Sequence, residues 1–374
     1  MASTNNPMSS STPAPAVSKT TLPMSGLLCD VYGLEELIAK QASTVSCLWL
    51  HHPRLRAKED MADFASRVIS QWEQTSASES TPVAGNTAAG GGGGRALIAV
   101  AFDQQNHGTR TVSSTASDSW REGNATHALD MWAMISGMVS DTTSLIDVVE
   151  GYLKLELARR GAGAGAGAEW AMDQHLVLGV SLGGHSAWQT MFREERVSAG
   201  VVIIGCPDYM ALLSDRARKS KLATFSASDD GASFLGSRDF PPDLVASCLR
   251  HDPKGTLFGT GVVPASAEGL PEDEWRRLGG VLDGLGLQRK RFLVCSGAED
   301  KLVPYKMSEP FVEFFAGAAG AWYADRGVVV ENKVYDGVGH AFSEGMVEDS
   351  VTFLVDAVAE KNGGRGGDER RAKI

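Results

Sequence analysis

The 374-residue chain carries 35 Lys+Arg against 46 Asp+Glu, a formal charge of -11, with 43% hydrophobic and 22% charged residues. That composition excludes wholesale disorder, and the acidic balance argues against nucleic acid as a partner, since neutralising phosphates needs surplus cations. No stretch approaches the ~20 unbroken apolar residues of a membrane-spanning helix, so no membrane span is expected.

In chain order, residues 1–24 are expected to be a disordered tail. Met1 to Pro23 are rich in Ser, Thr, Pro and Ala, with one lysine, no acid and no apolar core, so they do not form a secretory signal. Apolar, β-branched runs at 44–50, 96–102, 175–180, 199–204, 291–295 and 328–334 read as buried parallel strands. Helical periodicity fills the gaps: Met61, Phe64, Ala65, Val68 and Ile69 share one face over 60–72. Leu145, Val148, Val149, Tyr152 and Leu153 form a second stripe after the candidate cap Asp141, and a last helix is expected over 346–359. Two low-complexity segments, 75–94 and 161–168, read as flexible surface loops, and 362–374 as a solvated tail. The glycine run before Arg95 lacks the GK[ST] ending of a phosphate loop. The five cysteines, Cys29, Cys47, Cys206, Cys248 and Cys295, are odd in number and lack metal-ligand spacing. They read as reduced thiols, which gives the expectation of a cytoplasmic protein.

Alternating strands and helices imply an α/β domain over 25–361, with a mostly parallel twisted sheet flanked by helices. One interval breaks the rhythm. No strong strand occurs across 207–288, which is expected to be a largely helical lid over the edge of the sheet. Trp120, Phe234, Phe240, Phe258 and Trp275 either line an apolar acyl pocket or form cores of their own.

The segment HLVLGVSLGGHSAW joins an apolar strand to a helix through Gly179-Val180-Ser181-Leu182-Gly183. This is G-x-S-x-G in strand-turn-helix context, a turn sharp enough to require glycine two residues either side of the serine. Ser181 then points above the carboxyl edge of the sheet, at a helix N-terminus that favours developing negative charge. A serine hydroxyl needs a base and an orienting acid. Asp300 follows the strand of RFLVCSGAEDKLVPY, and His340 lies beyond the next strand in VYDGVGHAFSEGM. Glu299 and Asp336 are the alternative acids. The order Ser, Asp, His differs from both protease orders and is that of the α/β-hydrolases.

Over about 27–359, the motifs LWLHHPR, FDQQNHGTR, GVSLGGH, GAEDKLVP and GVGHAFSEG together resemble an α/β-hydrolase-fold serine hydrolase. They are similar to a fungal-type group distantly like the dienelactone-hydrolase and prolyl-oligopeptidase relatives. The resemblance implies an eight-stranded-type sheet and a Ser181-His340-Asp300 triad that cleaves an ester-type bond through an acyl-enzyme. It implies a small-molecule acyl substrate and neither metal nor organic cofactor. Thioesterase and peptidase activities use the same machinery, and a non-catalytic binding protein on this fold is the more distant alternative.

The oxyanion hole of such a site takes one backbone N–H from the residue after the nucleophile, Leu182. The second comes from the loop after the third strand, where the family pattern is His-Gly-x with x donating. If His51 matches the family histidine, the donor falls on Pro53, which has no N–H. If His52 matches it, Pro53 replaces the glycine and Arg54 donates; this register is preferred. His107 and His185 are expected to be structural, and the pair His51-His52 shows no metal-ligand pattern. The sequence leaves substrate and oligomeric state unread.

Overall fold

Five of the six apolar runs become inner strands because both of their faces are covered. In the structure, a computed structural model that describes residues 13–79, 94–161, 170–229 and 231–363, these are β3 (Thr44–His51), β4 (Arg95–Phe102), β5 (Ala171–Val180) and β6 (Val197–Ile203). They continue into β7 (Arg291–Gly297) and β8 (Val329–Tyr335), and all six pair in parallel; β8, read as buried, is instead the edge strand, with Val329 and Val334 exposed because one side has no neighbouring strand. Two further strands, β1 (Lys19–Met24) and β2 (Leu27–Tyr32), add an antiparallel edge, giving the order β1-β2-β4-β3-β5-β6-β7-β8.

This edge corrects the expected tail, of which residues 19–24 form β1. The two strands meet through Ser25-Gly26, both at positive φ (50° and 78°), the tight turn that matches hairpin twist. The edge escapes a periodicity search because β1 is mostly polar and β2 carries a charge: Asp30 is buried and held by Lys19 at 2.8 Å.

Alternate strand residues feed two cores. Val45, Cys47 and Trp49 pack on one face with α3 (His127–Ile146), α4 (Val149–Arg159), α5 (Leu182–Arg193) and α10 (Glu309–Gly320). Leu48 and Leu50 pack on the other with α2 (Ala62–Glu79) and α11 (Glu344–Gly363). The expected stripe of α2 is buried as read, with Trp72 added. The second stripe is not continuous. α3 begins at His127 and ends at Ile146, so Asp141 lies inside it, paired with Arg110 at 2.7 Å, instead of capping a helix. The restart at Val149 shifts the helical phase and leaves Val148 and Tyr152 exposed.

The interval 207–288 is helical but divides in two. α6 (Tyr209–Ser220) and α7 (Pro242–His251) pack with α3 and Leu182 above the carboxyl edge, with Phe234 and Phe240 at the centre. Beyond α8 (Pro253–Phe258), Val263, Ala267 and the Leu278 and Leu282 pair of α9 (Glu272–Gly284) belong to the core of the sheet itself. Only the first half therefore packs with Leu182. Phe258 packs on Phe314 at 5.0 Å and Trp275 stacks on Trp322, so neither joins the overhanging cluster. The first expected loop begins later than read, since 75–79 continue α2, and the expected loops and tails otherwise fall mostly outside the described residues: 1–12, 80–93, 162–169 and 364–374. No helix among the described residues is long and apolar enough to cross a membrane.

Candidate active site

The turn from β5 into α5 holds Ser181 at φ 55°, ψ -110°, a conformation that side chains avoid unless neighbours impose it. Two contacts impose it here. The Ser181 N–H donates to Ile203 O at 2.9 Å, and α5 starts at once, with His185 N–H donating to Ser181 O at 3.0 Å. Glycine is required on both sides. A Cβ at Gly179 would lie 1.9 Å from Gly183 O, and one at Gly183 would lie 2.0 Å from His51 O at the end of β3. The first is the collision expected from the motif; the second is with a neighbouring strand.

Ser181 Oγ lies 2.9 Å from His340 Nε2, and His340 Nδ1 lies 2.7 Å from Asp300 Oδ2. The other Asp300 oxygen accepts from Leu302 N–H at 2.8 Å and Val303 N–H at 2.9 Å, so the loop after β7 fixes the carboxylate from behind. Asp300 is buried, whereas the His340 side chain keeps 19% of its surface exposed. The histidine loop is pressed onto the acid loop at Gly297, where a Cβ would lie 2.4 Å from Gly339 O and 2.5 Å from Val338 O. Behind His340, Phe342 is buried against Phe64 at 5.5 Å and anchors the loop to α2. Glu299 and Asp336 make no contact with the His340 ring among the hydrogen bonds and ion pairs described.

Two backbone N–H groups, of Leu182 and Arg54, have no partner among the hydrogen bonds described. Leu182 is the first residue of α5, so its N–H has no intrahelical acceptor. The loop after β3 is locked by His52, whose burial lowers its pKa to about 4 and keeps the ring neutral. Its Nδ1–H donates to Pro53 O at 2.8 Å, and its Nε2 accepts from Gln104 N–H at 2.9 Å. A trans peptide sets C=O and N–H on opposite sides. With Pro53 O turned to the His52 ring, Arg54 N–H points the other way and makes no hydrogen bond among those described.

The other histidines spend their nitrogens on the frame. His51 bridges Ser186 Oγ at 2.9 Å and Thr142 Oγ1 at 3.0 Å, joining β3 to α5 and α3. His107 accepts from Leu55 N–H at 3.0 Å, and His185 accepts from Cys206 N–H at 2.9 Å. Asp103 in the FDQQNHGTR turn accepts from Lys58 N–H and Thr109 N–H, tying two loops together. One residue beside the site has no motif to mark it. Arg216 falls three and four positions after the buried Leu213 and Leu212, a cation on the apolar face of α6. That misplacement on a helical stripe is the signal that could have found it.

The strand order, the nucleophile turn after β5, the acid after β7 and the histidine after β8 define an α/β-hydrolase fold. Neither a protein-family model nor a curated protein sequence matches the chain. Among solved structures, it is similar to TT1662 from Thermus thermophilus, with 14% identity, a TM-score of 0.46, and coverage of 92% of this chain and 98% of that one. It is also similar to an S-formylglutathione hydrolase from Agrobacterium tumefaciens, at 15% identity and a TM-score of 0.46 over 93% and 95% of the two chains. The Pyrococcus furiosus esterase Pf2001 matches at 11% identity and a TM-score of 0.42 over 92% and 90%.

Proposed function

We propose that the protein is a serine hydrolase that cleaves a carboxylic ester-type bond through an acyl-enzyme. Ser181 Oγ attacks the carbonyl carbon while His340 Nε2 takes its proton; Asp300 holds the imidazole with Nδ1–H toward the carboxylate and stabilises the imidazolium that forms. The carbonyl oxygen becomes an oxyanion that accepts from Leu182 N–H and Arg54 N–H. Collapse expels the alcohol, protonated by His340. A water, deprotonated by His340, then attacks the acyl-enzyme and releases the acid and the free serine.

The observation that carries this reading is the unbroken relay Ser181–His340–Asp300 at 2.9 and 2.7 Å on a strained turn. Mere structural use of these residues does not call for a serine at positive φ, because a strained turn costs about 1–3 kcal/mol. Thioester and amide cleavage run through the same groups, so the bond class is read from a panel of p-nitrophenyl esters, thioesters and aminoacyl amides. A fluorophosphonate probe should label the parent protein at Ser181 and leave Ser181→Ala unlabelled. Ser181→Ala should also lose about 10⁴-fold or more in kcat while keeping its fold. No labelling of the folded parent, or turnover retained by Ser181→Ala, overturns the proposal.

A further inference from the structure

Arg54, on the loop after β3, and Arg216, at the loop that carries Asp300, have no directly paired carboxylate among the ion pairs described. The chain has eleven more acids than bases, so carboxylates to pair them were not scarce. None of the ion pairs described includes either residue, although Arg67, Arg95, Arg110 and Arg196 each pair with a carboxylate at 2.5–2.7 Å. Arg216 Nη1 donates to Met131 Sδ at 3.0 Å and Nη2 to Leu302 O at 3.5 Å, both weak contacts. Its Nε is closed off from solvent with no acceptor at all. Arg54 Nη1 donates to Ser117 O at 2.5 Å, a backbone carbonyl with no formal charge.

These contacts also locate the pair. Met131 packs in the cluster that contains Leu182, and Leu302 lies two residues past Asp300, so the Arg216 guanidinium lies between α3 and the acid loop. Arg54 enters from the loop after β3, and its charge acts on Arg216. Burial, and then repulsion from Arg54, lower the pKa of Arg216 to about 10, so it stays charged at neutral pH, and the carboxylate that attracts it, Asp300, is already engaged by His340 and two backbone N–H groups. The surroundings supply more donors than acceptors. Trp120 Nε1 is buried without a partner, and its ring packs on His127 at 4.9 Å. His127 is in turn held neutral, its pKa lowered to about 3 by burial and then by Arg216 and Arg54. Glu122 and Asp118 attract Arg54 without pairing with it directly among the ion pairs described, and one Glu122 oxygen accepts from Ser119 N–H at 2.8 Å.

A half-buried guanidinium with no directly paired carboxylate leaves donors that a bound anion would complete. We propose that the Ser181 centre takes a substrate bearing a carboxylate, and that the guanidinium groups of Arg54 and Arg216 bind that carboxylate. This rests on the serine-hydrolase reading and adds the substrate class. Planar guanidinium forks match a carboxylate in two-point hydrogen bonding, which a neutral ester of the same shape cannot use. The carboxylate sits either on the acyl chain or on the leaving group.

Two pairs of probes separate these cases. On the acyl side, p-nitrophenyl hemiglutarate is compared with p-nitrophenyl butyrate. On the leaving-group side, 4-(butyryloxy)benzoate is compared with its methyl ester. The parent enzyme should favour the anion of one pair by about 10²-fold in kcat/KM, the scale of a lost charged contact. Arg216→Met should bring that ratio down by about the same factor, chiefly through KM, with melting and circular dichroism as fold controls. A separate arm removes the chemistry: Ser181→Ala should bind glutarate or 4-hydroxybenzoate by calorimetry, and Ser181→Ala/Arg216→Met should not. Preference for the neutral ester in both pairs overturns the carboxylate proposal, as does an unchanged ratio in a folded Arg216→Met. Failure of the hydrolase reading appears elsewhere, as absent fluorophosphonate labelling in a protein that still binds the free acid.

Discussion

Ser181, Asp300 and His340 are separated by as many as 159 residues in sequence, yet small residues at their turns decide whether they touch. Gly297 is the clearest case, because the carbonyls of Val338 and Gly339 fill the space where a side chain would begin. Gly297→Ala should leave a folded protein whose histidine loop has shifted, and a displacement of about 1 Å in such a site costs about 10²-fold in rate. Steady-state kinetics with a melting control tests this; parent-like kcat would mean the loop yields without moving His340. Asp300→Asn should cost about 10⁴-fold in kcat, since an amide favours the wrong imidazole tautomer. Full activity in Asp300→Asn would assign the acid elsewhere. Asn124 carries a smaller lesson: its Asn-Ala-Thr sequence matches a glycosylation acceptor, but its side chain is spent on Ala116 O, Asp118 O, Asp130 and Thr126.

Among the elements, the division of 207–288 matters most. Leu212 is wholly buried in the cluster that contains Leu182, Met131 and Trp132, whereas Trp275 lies on α9 against Trp322 on the flank of the sheet. Leu212→Ala should therefore change the ratio of kcat/KM between short and long acyl esters, because the packing above the serine alters. It should also cost about 2–5 kcal/mol of stability as a large-to-small core change. Trp275→Ala should leave the ratio where it was. If both variants change selectivity alike, or neither does in folded protein, the first half of the interval is not a lid. The sequence could not draw this division, since both halves read as amphipathic helix and differ only in which surface they cover.

For the whole molecule, buried neutral histidines set a pH dependence. Burial lowers the pKa of His51, His127 and His185 to about 3 and that of His52 to about 4, against 6.5 in the absence of the fold. The unfolded chain therefore binds more protons than the native one below pH 6.5, so stability is complete above that pH and is lost as pH falls toward the folded values. At pH 5 each such histidine costs about 2 kcal/mol. Asp252, whose buried carboxyl has its pKa raised well above the usual range, works with the opposite sign and offsets part of the loss. The melting temperature should fall by several degrees between pH 7 and pH 5, and one that stays level or rises would show that these rings are not buried in neutral form.

Read alone, the sequence determined the inner strands, the helix α2 and the three residues that meet at the site. Each is marked by local rules: β-branched runs for strands covered on both faces, a 3.6-residue stripe for the helix, and glycines around a serine in a sharp turn. The edge hairpin escaped that reading because polar β1 and charged β2 gain their order from pairing and from the Lys19–Asp30 contact, not from an apolar pattern. Arg216 escaped it because a cation on the apolar stripe of a helix marks a misfit whose purpose is open until its neighbours are known. Tertiary structure alone decided that Met131 and Leu302 would contact it, with Arg54 and Asp300 acting on it from nearby and no carboxylate paired to it among the ion pairs described, since side chains so far apart in sequence acquire a shared environment only when the chain closes over them.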